Sequence, residues 1–323
     1  MYMEKCMIGI IGTGMMASSL TVLTSGHGFK TLVLARSESS RERCMNAVDG
    51  YYRQMVDQGI ITPEQVEICK SYISYTSDYG EMSRCRVFFE CVTEKIEAKE
   101  EVYKAIEKSC PEAKAICSVS SSIVPGKLAE VAGKYADRVL VTHPFNPPHL
   151  VPYFEICTAE CTKPDVLPFV KELLAALDRK TAILKKPTPG FIGNRLQFAL
   201  WRECLALVEE GICDPEDVDT ALAYSFCPRY TSIGIFQHFD NGGLELNATT
   251  CKATWPIISD KKDIPDFMKK LMAEGKMGAK SPSRQGFYDW NGVDMEAYSA
   301  KVSEPYWRFC KWEFPTEASS DDI

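Results

Sequence analysis

The sequence predicts an α/β fold, with a doubly wound sheet in its N-terminal part and an all-helical C-terminal domain. Short apolar runs alternate with helical segments over the first half of the chain. A glycine-rich turn joins the first apolar run to the first helix, and strand signals disappear after the Lys-Pro-Thr-Pro-Gly segment at 186–190. Alternating strands and helices at this spacing indicate a parallel sheet covered by helices on both faces.

The elements follow in order from the apolar pattern. Compact runs typical of buried strands predict strands at 6–11, 31–35, 87–92, 115–117, 138–142 and 151–156. Helices are predicted at 18–25, 38–72, 96–108 and 126–134, and one long helix at 191–211. Asp214-Pro215 begins another helix, because Asp caps a helix and Pro fits its first turn. We therefore divide the chain into a domain of residues 1–187 and a helical domain of residues 188–323. The polar tail at 319–322 is expected to be disordered.

The composition is that of an ordinary globular protein. The 323 residues are 45% hydrophobic and 25% charged, and the net charge of −7 disfavours a nucleic-acid or anionic-membrane partner. Residues 1–6 lack the features of a signal peptide, and the first apolar run is too short to span a membrane. The 14 cysteines form no Cys-x-x-Cys pair and are accompanied by only 4 histidines. We therefore expect a cytoplasmic protein with reduced cysteines and no metal site.

The glycine-rich turn has the spacing of a dinucleotide-binding turn. Between strand and helix stands Gly-x-Gly-x-x-Ala, formed by Gly12, Thr13, Gly14, Met15, Met16 and Ala17. Gly12 allows the tight turn, and Gly14 lets the backbone approach a pyrophosphate at the positive end of the helix. A purely structural turn is the alternative, but the strand–turn–helix context favours a Rossmann-like nucleotide-binding domain.

The end of the second strand bears on which dinucleotide binds. An NAD-binding unit is expected to carry an acidic residue there, about twenty residues after the turn, to bind the ribose hydroxyls. Here Ala35 is followed by Arg36 and Ser37. A guanidinium with neighbouring hydroxyls suits a 2′-phosphate, so NADP(H) is favoured over NAD(H). The alternative is that Arg36 is solvated and Glu38 binds the ribose.

A histidine and a carboxylate stand on neighbouring apolar runs. His143 belongs to Thr-His-Pro-Phe-Asn-Pro-Pro, and Glu155 follows twelve residues later. If the two runs are adjacent strands, imidazole and carboxylate meet across the turn. Such a pair is typical of proton transfer near neutral pH.

Six motifs together resemble the L-3-hydroxyacyl-CoA dehydrogenase family, which includes L-gulonate 3-dehydrogenase (lambda-crystallin) and carnitine dehydrogenase. Their order and spacing match from about residue 6 to residue 290, and the histidine and Pro-Gly-Phe-Ile-x-Asn-Arg motifs are the specific ones. The motifs are Gly12 to Ala17, Glu90 to Lys99, Ser118 to Ser122, His143 to Pro147, Thr188 to Arg195, and Gly278 with Gly286-Phe-Tyr.

The resemblance implies a homodimeric oxidoreductase and assigns a role to individual residues. His143 would be the acid/base, Glu155 would orient it, and Ser121 and Asn194 would contact the reacting oxygen. Ser120 and Ser122 adjoin Ser121, so it stays open which of the three serines aligns with the family's serine. Cofactor or closed-site contacts would come from Glu94, Lys99, Asn146 and Lys280.

Three departures bear on cofactor and substrate. Val119 stands where the family usually has asparagine, Ala35 replaces the acid, and the loop at 56–60 lacks the lysines that would meet CoA phosphates. The leading hypothesis is an NAD(P)-dependent dehydrogenase of a small-molecule L-3-hydroxyacyl substrate, first of all a short acyl-CoA such as 3-hydroxybutyryl-CoA. A non-CoA 3-hydroxy acid dehydrogenase of the L-gulonate or carnitine type is the alternative. A crystallin-like structural role is disfavoured because the catalytic set is complete.

Overall fold

The computed structural model describes residues 5–319, so most of the tail predicted to be disordered lies outside the described residues. The chain forms two compact units. One contains the residues up to Ile192 together with those from Ser299 onward, and the other spans Gly193–Tyr298. The boundary predicted at 187 lies close to this division.

Within residues 5–319, eight strands form one sheet in the first unit, in the order β3-β2-β1-β4-β5-β6-β7-β8. Neighbouring strands are parallel, except that β7 is antiparallel to β6. The order reverses between β1 and β4, and ligands of open α/β sheets bind at the carboxyl ends of strands beside such a switch point. The strands are β1 (Ile8–Ile11), β2 (Thr31–Leu34), β3 (Ile73–Thr76), β4 (Val87–Glu90), β5 (Ala115–Ser118), β6 (Val139–Pro144), β7 (Tyr153–Thr158) and β8 (Lys180–Ile183).

Helices cover both faces of this sheet, so the predicted fold class is confirmed. On one face, α1 and α6 bury Leu23 and Leu173 together with Tyr52 of α2, and on the other α4 and α5 bury Tyr103 and Leu128. The first unit's helices are α1 (Met15–Gly26), α2 (Glu38–Asp57), α3 (Pro63–Lys70), α4 (Ile96–Ser109), α5 (Pro125–Val131) and α6 (Val166–Ala176).

The second unit is helical, as predicted. Its long first helix, α7, matches the helix predicted at 191–211, and α8 begins at Pro215 with Asp214 as its cap. The helices are α7 (Gly193–Glu209), α8 (Pro215–Tyr224), α9 (Ile235–Asn241), α10 (Leu244–Thr254), α11 (Asp266–Ala273) and α12 (Met295–Trp307), of which α12 extends past the division between the units. No helix within residues 5–319 has the length and apolarity needed to cross a membrane.

The single helix predicted over 38–72 is wrong. The segment divides into α2 and α3 because Gly59 has a φ of 67° and Thr62 forms a capping box with Gln65 that begins a new helix. The prediction also omitted two strands, β3 and β8, and helix α6. Both strands are short edge strands with partly exposed residues, so neither shows the continuous apolar pattern of a buried strand.

The C-terminal segment packs on the first unit, although the sequence-based division placed it with the helical domain. Trp312 is buried against the end of α1, with its ring 4.6 Å from the His27 ring. A Cβ at Gly26 would lie 2.7 Å from the Trp312 ring, so glycine gives this indole its space. Further along, the Tyr72 hydroxyl donates to the Glu317 carbonyl at 3.1 Å. This packing depends on contacts between residues far apart in sequence.

Candidate active site

His143 and Glu155 face each other on β6 and β7, as the sequence predicted. The antiparallel register pairs these two residues directly, and His143 Nδ1 lies 2.8 Å from Glu155 Oε2. Glu155 is completely buried and His143 is 7% exposed. An ionised carboxylate only accepts hydrogen bonds, so Nδ1 carries a hydrogen and Nε2 is left to exchange a proton.

The second carboxylate oxygen of Glu155 is also held. Its Oε1 accepts the backbone N–H of Ile192 at 2.8 Å and the Tyr153 hydroxyl at 3.3 Å. The Phe191 ring packs beside the imidazole, with ring centroids 5.2 Å apart. Sequence reasoning missed Tyr153, although its position two residues before Glu155 places it on the same face of β7. Hydrogen bonds to both of its oxygens fix the carboxylate, and the carboxylate in turn fixes the imidazole.

Glu94 organises the serine segment that follows β5. Its Oε1 accepts the backbone N–H groups of Ser121 and Ser122 at 3.0 and 2.9 Å, and also the hydroxyls of Ser120 and Ser122. Within residues 5–319 the exposed Ser121 hydroxyl makes no hydrogen bond. Burial alone would raise the pKa of Glu94, but the Ser120 and Ser122 hydrogen bonds and the Lys99 charge lower it to about 2. Of the three serines, Ser121 has the hydroxyl available to a ligand.

Lys99 lies beneath this segment and not on the surface of a cofactor groove. Its side chain is 0% exposed, and its ammonium is 2.9 Å from Glu90 Oε1 and 3.5 Å from Glu94 Oε2. The Ser118 and Tyr103 hydroxyls also donate to Glu90, at 2.7 and 3.1 Å. Direct contact with a cofactor is therefore blocked for Lys99 in this conformation, and the ammonium holds two carboxylates in place. Glu90 begins the motif that ends at Lys99, but the sequence alone gave it no role.

The glycine turn lies beside a cavity of about 540 Å³ at the carboxyl ends of β1, β2 and β4. Gly12 has a φ of 119°, and a Cβ there would lie 3.0 Å from the Cys91 carbonyl oxygen. A Cβ at Gly14 would meet nothing within 4 Å, so this backbone is open to a ligand. Met15 begins α1 and is 54% exposed, and the first turn of the helix contains no acidic residue.

Two arginines also line this cavity. Arg36 and Arg43 lie beside it together with Ser37 and Ser40, and within residues 5–319 neither arginine makes an ion pair. Ser37 caps α2 by accepting the Ser40 N–H at 3.3 Å. Glu38 pairs instead with Arg41, at 3.7 Å. Arg43 was missed by the sequence reasoning; the cap at Ser37 and the three-residue spacing from Ser40 could have placed it on the same helix face.

The remaining predicted residues lie apart from these clusters or in the other unit. Asn146 is exposed in the loop after β6. Asn194 is the second residue of α7 and half-buried, and Lys280 is exposed; both belong to the helical unit. Their assignments stay predictions.

The cavity fits a dinucleotide. Open backbone at Gly14 beside the start of α1 suits a pyrophosphate, and the arginines that line the same cavity suit the adenosine end of such a ligand. Among residues 5–319 there is no group of three or more His, Cys, Asp or Glu side chains able to hold a metal ion.

Comparison with known families and proteins agrees with this geometry. Residues 7–187 match the model of the 3-hydroxyacyl-CoA dehydrogenase NAD-binding domain, and residues 190–290 match that of the 3-hydroxyacyl-CoA dehydrogenase C-terminal domain. The chain is 27% identical to 5-formyl-3-hydroxy-2-methylpyridine 4-carboxylate 5-dehydrogenase of Mesorhizobium japonicum, over 91% of this chain and 94% of that protein.

Two further similarities concern a second enzyme and a solved structure. The chain is 28% identical to L-carnitine dehydrogenase of Mesorhizobium japonicum, over 82% of this chain and 72% of that protein. A crystal structure of a 5-formyl-3-hydroxy-2-methylpyridine 4-carboxylic acid 5-dehydrogenase, described as an NAD+ dependent dismutase, superposes with a TM-score of 0.83 at 25% identity, covering 96% of this chain and all of that one. With both family models matched in order, the chain belongs to the 3-hydroxyacyl-CoA dehydrogenase family, whose members act on CH–OH groups.

Proposed function

We propose that this protein interconverts a small 3-hydroxy acid and the corresponding 3-oxo acid, with a nicotinamide dinucleotide as cofactor. The observation that carries the proposal is the His143–Glu155 pair at 2.8 Å, which leaves Nε2 of a nearly buried imidazole for proton exchange. Family membership supplies the class of reaction, oxidation or reduction at a carbon bearing a hydroxyl.

His143 moves the proton in this reaction. In the oxidative direction, the neutral Nε2 takes the proton of the substrate hydroxyl, and in the reductive direction the imidazolium returns it. The buried Glu155 carboxylate stabilises the imidazolium and fixes the ring orientation through Nδ1. A nicotinamide dinucleotide held in the cavity beside Gly12 and Gly14 would supply or accept the hydride.

Ser121 is proposed to bind the reacting oxygen. Its hydroxyl is free because Glu94 engages the hydroxyls on either side of it, and a hydroxyl donor there would stabilise negative charge developing on the substrate oxygen. Asn194 is a second proposed donor, on the basis of the family motif alone.

The preferred cofactor is proposed to be NADP(H). Ala35 occupies the position at which NAD-binding units carry an acid, and Arg36 and Arg43 line the cavity there without an ionic partner within residues 5–319. Guanidinium groups recognise phosphate with charge-assisted hydrogen bonds. Glu38, the alternative ribose ligand, pairs with Arg41.

The substrate is proposed to be a free acid and not a CoA thioester. The loop at 56–60 carries none of the lysines that would bind CoA phosphates, and Glu64 and Glu67 follow it in α3. The two relatives described above are named for a pyridine carboxylate and for carnitine, neither of which carries CoA. A short acyl-CoA remains the second candidate, because both matched family models bear the 3-hydroxyacyl-CoA description.

We further propose a homodimer formed through the helical unit. Six large apolar side chains of this unit are each at least 66% exposed, which is unusual for an isolated surface: Tyr224, Phe236, Leu244, Leu246, Trp255 and Ile257. Light scattering after size-exclusion chromatography measures the mass directly. A monomer at micromolar concentration would contradict the dimer.

A substrate comparison tests the proposed function. Purified protein is incubated with NADPH or NADH and with acetoacetyl-CoA, free acetoacetate, dehydrocarnitine or a 3-oxo sugar acid, and loss of reduced nicotinamide absorbance is followed. We expect turnover of a free acid and a kcat/KM for the thioester at least about tenfold lower, equivalent to 1.4 kcal/mol of transition-state binding. Preference for acetoacetyl-CoA would establish the second candidate, and no turnover of either the free acids or the thioester would refute both.

A further inference from the structure

A second histidine, His149, lies in the loop between His143 and Glu155. It is 2% exposed, its Nδ1 is 2.7 Å from the Ser19 hydroxyl oxygen, and its own backbone N–H donates to that oxygen at 2.9 Å. Ser19 is the fifth residue of α1, the helix that begins at the glycine turn. One serine of the cofactor helix therefore holds the loop at two points.

The Ser19 oxygen takes part in two hydrogen bonds with His149. It accepts the backbone N–H of His149, and its hydroxyl shares a second hydrogen bond with Nδ1, as donor or acceptor according to the imidazole tautomer. Burial lowers the pKa of His149 to about 3, and the Arg179 charge acts in the same direction, so the ring is neutral. In the neutral ring, Nδ1 bonds to Ser19 in either tautomer, because the serine hydroxyl both donates and accepts.

Arg179 holds the same loop from another side. Its Nη1 donates to the Pro148 carbonyl at 3.0 Å, and its guanidinium lies 5.6 Å from the centroid of the Trp312 ring. The Tyr51 ring packs on the His149 ring at 4.4 Å. The loop is thus fixed to the body of the first unit, and Ser19 provides its link to the helix of the glycine turn.

We propose that Ser19 and His149 are positioning residues, which couple the cofactor helix to the loop that follows the acid/base strand β6. The proposal rests on the acid/base role of His143 given above. His143 lies six residues before His149, and Asn146 lies between them, so displacement of the loop tilts the end of β6. A misplacement of about 1 Å lowers turnover on the order of 100-fold when proton transfer requires aligned groups.

The neighbouring serine provides a matched control. Ser18 and Ser19 are both fully buried on α1, but the Ser18 hydroxyl donates to Cys44 Sγ, at 3.3 Å, and not to the loop. We expect Ser19→Ala to lower kcat at least about tenfold with the cofactor KM changed less than about twofold, and Ser18→Ala to leave kcat unchanged. Equal kcat values for the two variants would overturn the proposal.

A second pair of variants separates positioning from packing. Asn places an amide group close to the position of Nδ1 and can accept from Ser19 or donate to it, whereas Leu can do neither. We expect His149→Asn to retain most of kcat and His149→Leu to match Ser19→Ala. If the Asn variant loses as much activity as the Leu variant, the hydrogen bond has no positioning role.

Hydrogen exchange tests the coupling without turnover. Binding of NADPH or NADH should slow amide exchange across residues 145–153 in wild type and in Ser18→Ala, and should leave it unchanged in Ser19→Ala. The same change in all three proteins would overturn the proposal, as would no change in wild type. If wild type reduces no 3-oxo acid, the proposed function fails, and the exchange experiment still decides whether Ser19 links cofactor and loop.

Discussion

The backbone N–H of Ser121 donates to Glu94 Oε1 at 3.0 Å, while the Ser121 hydroxyl makes no hydrogen bond within residues 5–319. Glu94 thereby orders the serine segment, and the Ser121 hydroxyl is the one proposed above to bind the substrate. We expect Ser121→Ala to lower kcat about 100-fold, the effect of removing one donor to a developing oxyanion. Steady-state kinetics of Ser121→Ala and Ser122→Ala test this. A larger loss of kcat in Ser122→Ala than in Ser121→Ala would show that Ser122, and not Ser121, takes this role.

The Glu94 charge and its acceptor oxygen can be separated. Glu94→Gln retains an oxygen for the serine segment but loses the ion pair with Lys99, whereas Glu94→Ala loses both. We expect kcat to fall about tenfold or less in Glu94→Gln and further in Glu94→Ala, because the acceptor orders the segment. Equal kcat values in the two variants would assign the effect to charge alone.

The ion pair between Lys99 and Glu90 should contribute strongly to the stability of the sheet around the carboxyl end of β4. Both side chains are 0% exposed, and removal of one partner leaves a buried charge, at a cost of about 3–5 kcal/mol. We expect Lys99→Met to lower the free energy of unfolding by that amount in urea titrations. Adding Glu90→Gln should recover part of the loss. A Lys99→Met variant within about 1 kcal/mol of wild type would contradict this account.

Two buried histidines should make the protein sensitive to mild acid. Burial lowers the pKa of His27 to about 4 and that of His149 to about 3, both from 6.5. At a pH between each lowered pKa and 6.5, the unfolded chain therefore binds more protons than the folded chain. Their stabilising contribution is complete above pH 6.5 and is lost as the pH falls. Between pH 7 and pH 5 each should contribute a loss of about 2 kcal/mol.

Urea unfolding at pH 7 and pH 5 measures this loss. The difference between the two pH values should be smaller in His149→Asn than in wild type, whatever the variant's stability at pH 7. An identical pH dependence in the two proteins would show that His149 is not held neutral.

The arginines of the cavity should decide the cofactor. We expect Arg36→Ala and Arg43→Ala each to reduce kcat/KM for NADPH about tenfold and to change that for NADH less than about twofold, because each removes a charge-assisted phosphate contact. Arg41→Ala is the control, since Arg41 pairs with Glu38 and lies over the Tyr75 ring. A wild type that prefers NADH and is insensitive to both substitutions would rule out NADP(H) selectivity.

Much of the fold and the central pair could be predicted from local pattern. Apolar runs located the buried strands, and their alternation with helices led to the doubly wound sheet. The His143–Glu155 contact followed because two such runs flank a short proline-rich loop. These inferences use residues close in sequence, whose geometry strand pairing determines.

The residues that surround the pair could not be predicted in the same way. Ser19 and His149 are 130 residues apart in sequence. The local sequence predicts an exposed helical lysine at Lys99, but its side chain is buried and forms an ion pair with Glu90. Arg43 lines the cavity because Ser37 caps α2, and this helix start sets the helix face on which Arg43 lies. Each depends on how helices pack on the sheet, which the local pattern does not specify.

The most direct test of the central claim is the turnover of His143→Gln. Glutamine retains polarity at this position but cannot take up a proton, so we predict that kcat falls at least about 100-fold at pH 7 while the dissociation constant of the cofactor, measured by fluorescence titration, changes less than about threefold. A variant that binds the cofactor normally and keeps a kcat within about threefold of wild type would contradict the assignment of His143 as the acid/base.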